Sequence, residues 1–312
     1  MTELTIGIDI SKALLDVATY PDGQYQQFTN DTKGHKAMVK WLGALNFKRI
    51  VFEATGAYHR GLEQFLDQRG YPFAKVNPRQ ARRFAEATGK LAKTDRVDSL
   101  MLARFGELLQ PPHSESKSQT LVELAELQVA RRGLIKDRTA AKNRQHNLVS
   151  PIIKRQVNRR LKQIEADIRT IDEACLTLVR ADQQLHHRYD ILVSIPGLGS
   201  LTAIIILAEM PELGNMDKRQ TASLAGLAPI TRQSGTWKGK SFIRGGRANL
   251  RQALYMPALV AIRFNQEMAA KYKTMTEAGK PAKVAITAIM RKLIITANSL
   301  LRDNRKWSKI SA

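Results

Sequence analysis

The sequence predicts an α/β domain at the N-terminus, then a long helical segment, then a mostly α C-terminal region. Three observations predict this. Short β-rich apolar runs near residues 4–10, 14–20 and 24–30 are separated only by turn-forming stretches, Ser11-Lys12 and Pro21-Asp22-Gly23, as in a three-stranded meander. The rhythm then changes to helical spacing over about 33–45, a strand at 49–54, a helix near 58–69, a strand at 71–76 and helices over 78–88 and 95–109. Further on, Val157, Leu161, Ile164, Ile168, Ile171, Cys175 and Leu178 follow one another at spacings of 4, 3, 4, 3, 4 and 3, an unbroken heptad seam.

Three antiparallel strands followed by strand, helix, strand, helix is the element order of the RNase H-like fold, in which the first and fourth strands lie side by side. That adjacency matters for four acids. Asp9 sits in the run Thr5–Ser11 and Glu53 ends the run Arg49–Glu53; each interrupts apolar β-sequence, where an unpaired carboxylate is costly to bury unless a cation or a donor meets it. Asp95 and Asp98 are three residues apart on a predicted helix and so share a face. Two carboxylates at strand ends and two on one helical face suit a pair of Mg²⁺ ions about 4 Å apart, because hard cations take carboxylate oxygen. Taken singly, an Asp at a strand end also reads as a turn residue, and Asp95 after Thr94 also reads as a helix cap.

Charge narrows the partner. The chain carries a formal +22, unevenly placed: 16 Lys/Arg against 12 Asp/Glu in residues 1–110, 15 against 10 in 111–190, and 19 against 6 in 191–312. A basic C-terminal third is the footprint of a phosphate backbone, although an anionic membrane surface attracts the same charge. The longest apolar stretch, Leu201–Ala208, is far short of the roughly 20 residues that span a bilayer. With no basic, apolar, small-residue signal pattern at the N-terminus, a cytoplasmic location and no membrane partner are expected. The single cysteine, Cys175, leaves no disulfide framework or Cys-based zinc site. Nine Phe, seven Tyr and three Trp offer few platforms for base stacking, which favours backbone recognition.

The polar, proline-led stretch 111–118 marks a domain boundary, giving domains at 1–110, 111–190 and 191–312. In the middle region, Leu127, Leu134, Ala141 and Leu148 add a weaker seven-residue repeat, so a helical hairpin or a dimerising coiled coil is expected, with Cys175 in the seam. Arg131, Arg132, Lys136, Arg155, Arg159 and Arg160 fit either a nucleic-acid path or a solvated helix face. The third region opens on Ile195-Pro196-Gly197-Leu198-Gly199-Ser200, a glycine turn entering an apolar helix. It resembles the hairpin of helix-hairpin-helix domains, in which backbone N–H groups of Gly197 and Gly199 approach a phosphate; a plain turn between two helices looks the same. Residues 225–247 are rich in Gly and in the cations Arg232, Lys238, Lys240, Arg244 and Arg247, with Arg251 close behind, and hold Ser234 just before Gly235.

These motifs together resemble a transposase of the insertion sequence 110 family, the DEDD recombinases guided by a bridge RNA. The resemblance spans nearly the whole chain and rests on residues 7–12, 52–56, 93–98, 195–203, 233–235, 244–251 and 279–285. It implies a RuvC-like N-terminal domain with Asp9, Glu53, Asp95 and Asp98 as metal ligands. It places the family's catalytic serine on Ser234 and implies a C-terminal transposase domain that cooperates with the metal site of a neighbouring protomer. A homo-oligomer, dimer or tetramer, follows from that.

A hydroxyl is a weak nucleophile unless a base, a metal or dense positive charge favours its alkoxide. All six histidines precede residue 188, so no imidazole is near Ser234 in sequence. Activation then falls to the surrounding cations or to the acids and metals. Read from the residues alone, Ser234 also fits a hydroxyl that only hydrogen-bonds a phosphate; Ser241 competes, and Ser11 beside Asp9 reads as structural. The expected function is a recombinase that excises and inserts a mobile element, a non-coding RNA pairing with donor and target DNA while protein cations hold the backbones. A Holliday-junction resolvase needs the same acids without the serine, and a scaffold with a decayed metal site needs neither.

Overall fold

The computed structural model describes residues 3–54, 56, 58–89, 94–114 and 118–308, and of Lys238 only the backbone. Of the motif residues above, Thr55 and Lys93 lie outside the described residues, as do 115–117 of the proline-led break. The chain divides into two compact units, residues 1–116 and 117–312.

The first unit runs β1 (Leu4–Ile10), β2 (Leu14–Tyr20), β3 (Tyr25–Thr29), α1 (Thr32–Leu42), β4 (Phe47–Glu53), α2 (Arg60–Asp67), β5 (Phe73–Val76), α3 (Pro78–Ala87) and α4 (Asp95–Leu109). These match the expected elements to within a few residues. The sheet order is β3-β2-β1-β4-β5. Short turns make β1, β2 and β3 antiparallel, whereas the crossovers through α1 and α2 lay β4 parallel to β1 and β5 parallel to β4. The first and fourth strands are therefore neighbours, as the RNase H-like order requires.

Alternation along the strands sends successive side chains to opposite faces. Ile6, Ile8 and Ile10 with Leu15 and Val17 form one buried face, covered by Met38, Leu42, Leu62 and Leu66 of α1 and α2. The opposite face of β1 carries Thr5, Gly7 and Asp9 and lies under α4. Gly7 is what permits this: a β-carbon there would fall 2.0 Å from the Ser99 carbonyl oxygen and 2.3 Å from the Ala103 nitrogen. Gly106 plays the reciprocal part from the helix, where a β-carbon would meet Val51 Cγ2 at 2.5 Å.

The second unit begins with α5 (Gln119–Gln145) and α6 (Pro151–Ala181), then α7 (Gln183–Val193), α8 (Ser200–Glu209) and α9 (Lys218–Leu224). Four two-residue strands follow: β6 (Pro229–Ile230), β7 (Gln233–Ser234), β8 (Trp237–Lys238) and β9 (Phe242–Ile243). The chain ends in α10 (Ala248–Ala253), α11 (Tyr255–Phe264), α12 (Gln266–Glu277) and α13 (Ala282–Arg302). The heptad seam of α6 packs on α5 of the same chain. Leu161, Ile164, Ile168 and Cys175 are buried there, and the last turn buries Val179 in preference to Leu178. Polar pairs complete the hairpin: Arg131 forks onto Asp172, and Gln128 donates to Cys175 Sγ at 3.3 Å.

Leu124, Cys175 and Val179 share one core with Ile204 and Leu207 of α8, Ala258 of α11 and Leu293 of α13. The helical segment, read from the sequence as a domain of its own, thus shares its core with the region after it. α13 is long and apolar enough to cross a membrane by length and composition, but half of its apolar window is buried within this unit. Its Asn298 accepts from Gly214 N–H at 2.7 Å and donates to the Met216 carbonyl at 2.7 Å, which fixes the loop before α9.

Candidate functional site

Asp9 is the last acid-bearing position of β1. The parallel register pairs Ile8 with Phe52, so Asp9 and Glu53 stand one step beyond it on neighbouring strands, on the face beneath α4. α4 begins at Asp95 because Thr94 caps it, its hydroxyl accepting from Val97 N–H at 3.3 Å. Capping therefore falls to Thr94 and leaves the Asp95 carboxylate out of it. Asp95 and Asp98 occupy the first turn, where the helix N-terminus favours negative charge.

The electrostatics put Asp9, Asp95 and Asp98 in one field. Burial, then Asp98, then Asp95 push the Asp9 carboxyl up to about 6 from its ordinary 3.8, against the stabilising Ile10 N–H that its Oδ1 accepts at 3.1 Å. Among the described residues no three His, Cys, Asp or Glu side chains stand at the spacing that holds a metal ion. Burial and the neighbouring Asp98 and Asp95 disfavour the charged Asp9 carboxylate, a cost that a bound divalent ion would offset. The donor set, all carboxylate oxygen, fits a hard cation such as Mg²⁺.

A fifth acid stands in the same field. Asp16 on β2 is the cross-strand partner of Asp9 and is 2% exposed. Its Oδ1 accepts from the Tyr25 hydroxyl and, at 2.9 Å, from Gln27 Nε2. That bond, with burial, pushes the Tyr25 phenol up to about 12. The Arg96 guanidinium lies 5.1 Å from the Tyr25 ring centre, tying the first turn of α4 to β3. Sequence reasoning passed over Asp16, although it carries the signal that marked Asp9 and Glu53, a carboxylate inside the apolar run Leu14–Tyr20.

On the other side of Glu53, Glu63 of α2 is buried and meets Lys75 Nζ at 2.7 Å and His59 Nε2 at 3.4 Å. Burial pushes the Glu63 carboxyl up, but hydrogen bonds from His59 and Lys75 bring it below its usual range.

The predicted nucleophile belongs to the second unit. Ser234 pairs with Trp237 across the β7–β8 hairpin, whose loop starts at Gly235 with φ +54°, a left-handed conformation that glycine adopts without steric cost. Ser234 is exposed, as are Arg232, Lys240 and Arg244. The other basic residues do structural work. Arg247 forks onto Glu212 at 2.6 and 2.7 Å, and Arg251 Nη1 donates to the carbonyls of Gly245 at 2.8 Å and Gly226 at 3.3 Å. The Lys238 side chain lies outside the described residues. In the turn before α8, Gly197 (φ +105°) is pressed on α11, where a β-carbon would fall 2.7 Å from Ala261 Cβ. Gly199 stands open, and α8 has no side-chain cap.

Comparison with known proteins gives the family. A DEDD transposase model of the IS110 type matches residues 6–153, and one for transposases of the IS116/IS110/IS902 family matches residues 189–273. The pilin gene-inverting proteins of Moraxella bovis and Moraxella lacunata are each 32% identical over 323 aligned positions, covering 99% of both chains. The mini-circle putative transposase for IS117 of Streptomyces coelicolor is 30% identical over 196 residues, 57% of this chain and 45% of that protein.

Proposed function

This chain belongs to the IS110 family of transposases, and from that premise we propose that it excises and inserts a mobile DNA element under the guidance of a bridge RNA, with Mg²⁺-dependent strand cleavage and a covalent Ser234–DNA intermediate. The RuvC-like fold goes with the family; the five-stranded mixed sheet carries Asp9 and Glu53, and α4 carries Asp95 and Asp98. The observation that carries the reading is the placement of Asp9 and Glu53 one step beyond the Ile8–Phe52 pair on neighbouring strands, with Asp95 and Asp98 in the first turn of α4; burial, then Asp98 and Asp95, push the Asp9 carboxyl up to about 6.

Asp9, Glu53, Asp95 and Asp98 would hold the ions. Bound Mg²⁺ would neutralise charge on the scissile phosphate and stabilise the oxygens in line with it. Asp16 Oδ1 accepts from Tyr25 and Gln27, so this acid ties β2 to β3 beside Asp9. Ser234 Oγ attacks phosphorus, a P–O bond to a deoxyribose oxygen breaks, and that oxygen leaves with a proton; the reverse attack by a strand hydroxyl reseals the DNA without ATP. Arg232, Lys240 and Arg244, exposed around Ser234, are the cations that favour its alkoxide and grip the backbone, with Lys238 in the same segment. Gly199 at the uncapped start of α8 offers N–H groups to a second phosphate, in the manner of a helix-hairpin-helix.

A second reading shares this chemistry. Both relatives that match end to end are named for inverting a pilin gene, and an inversion breaks and reseals the same bonds while both ends stay in one DNA molecule. The test is to express the protein with the DNA flanking its gene, purify it and sequence the RNA it carries. One discrete RNA with segments complementary to the element's ends supports guided excision and insertion. Heterogeneous RNA bound in proportion to charge contradicts it.

A further inference from the structure

Trp237 is 58% exposed, an unusual setting for the largest apolar side chain. It is the cross-strand partner of Ser234, so both side chains project from one face of the hairpin with β-carbons about 5 Å apart, the scale of one nucleotide step. Its ring is seated deliberately. A β-carbon at Gly239 would fall 2.4 Å from the indole, so only glycine leaves room for the ring to lie against this backbone. Gly239 N–H donates to the Arg232 carbonyl at 3.0 Å, and the Arg232 guanidinium stacks 5.1 Å from the centre of Phe242, itself 37% exposed. One exposed ring, Phe242, thus stacks on the Arg232 guanidinium, and a second, Trp237, lies at Gly239 next to the Arg232 backbone carbonyl, with Lys240 and Arg244 exposed in the same segment. Aromatic platforms set among cations are the pattern that grips unpaired nucleic acid.

We propose that Trp237 is a stacking platform for an unpaired DNA base next to the phosphate that Ser234 attacks. This rests on the reading of Ser234 as the nucleophile. The platform sets where along the strand the phosphate meets the hydroxyl, so Trp237 is a positioning residue. It selects for an unstacked base and is tolerant of which base that is, since every base has a π-face.

The experiment uses the full chain with Trp41→Phe and Trp307→Phe, which leaves Trp237 as the only indole. Its fluorescence is titrated with single-stranded dT20, with an abasic strand of the same length and charge, and with rU20. The proposal expects quenching by dT20 and little by the abasic strand. In the chain with all three tryptophans, Trp237→Ala weakens dT20 binding about ten-fold and Trp237→Phe restores most of it. Equal response to dT20 and the abasic strand reduces the site to charge alone and overturns the proposal, as does tighter binding of rU20. Denaturing-gel detection of a protein–DNA adduct on nicked element ends separates the two claims. An adduct without base-dependent quenching removes the platform and keeps the nucleophile; base-dependent quenching without an adduct at Ser234 removes the nucleophile, and with it the positioning role.

Discussion

The acidic face of the N-terminal sheet and the basic hairpin around Ser234 solve opposite problems. Asp9, Asp16 and Glu53 stand on three adjacent strands of a packed sheet, and α4 is pressed onto that sheet through Gly7 and Gly106. Like charges are forced together there, and the energy that holds them comes from the apolar face on the far side of the same strands. Ser234 rides on a strand of two residues, exposed, with the exposed cations Arg232, Lys240 and Arg244 in the same segment. The difference suits the roles proposed for them: a carboxylate set that is to hold metal needs a rigid frame to resist its own repulsion, whereas a serine proposed to attack a DNA strand is better placed on a short, solvent-facing element.

The largest expected effects test chemistry on each side. Asp9→Asn and Ser234→Ala should each lower strand exchange by about 10³-fold or more in a gel assay with Mg²⁺. They should differ in one respect, since Asp9→Asn relieves repulsion and raises the stability of the metal-free protein by on the order of 1 kcal/mol after solvent screening, while Ser234→Ala leaves stability unchanged. A destabilised Asp9→Asn in urea melts would break the comparison.

Next come the residues that build the frame. Gly7→Val drives a side chain into the Ser99 carbonyl and should cost about 3 kcal/mol, separating α4 from the sheet and lowering activity along with stability. Glu63→Ala strands Lys75 and His59 and should cost about 2 kcal/mol, read as a lower thermal midpoint.

The pH dependence is smaller and has a definite sign. Asp9 ionises near 6 in the folded chain and at 3.8 ordinarily, so the metal-free protein loses stability as pH rises from about 4 to 6. Divalent binding needs the carboxylate, so calorimetric affinity for Mg²⁺ should rise through pH 6 with proton release below it. Affinity flat from pH 5 to 7 would remove Asp9 from the ligand set. The smallest effect belongs to Arg244→Ala, expected to leave folding intact and reduce the salt slope of DNA binding by about 0.7–0.9.

Most of the first unit was legible because its signals are local. Turn residues, a change of period and acids inside apolar runs are read within ten residues of sequence, and strand order followed from the meander and the crossovers. Asp16 carries the same local signal, a carboxylate inside an apolar run, but in mid-strand rather than at a strand end, and its place beside Asp9 follows only from the cross-strand register. In the second unit the heptad seam was legible, but its partner, α5 of the same chain, was not, since a seam looks the same whichever helix faces it. Arg247 and Arg251 read as DNA-facing by composition, yet Glu212 and the carbonyls of Gly226 and Gly245 claim them from 6 to 35 residues away. Gly197 read as a phosphate turn, and its contact with Ala261 is 64 positions distant in the chain.

The most direct test of the central claim is to incubate the purified protein and its RNA with element-end DNA and Mg²⁺, trap the product in denaturant and map it by mass spectrometry. A phosphodiester-linked nucleotide on Ser234, lost when Asp9 is replaced by Asn, is the predicted result. Strand cleavage that proceeds with free ends and no adduct would contradict the account and leave a metal-dependent nuclease with a structural hairpin.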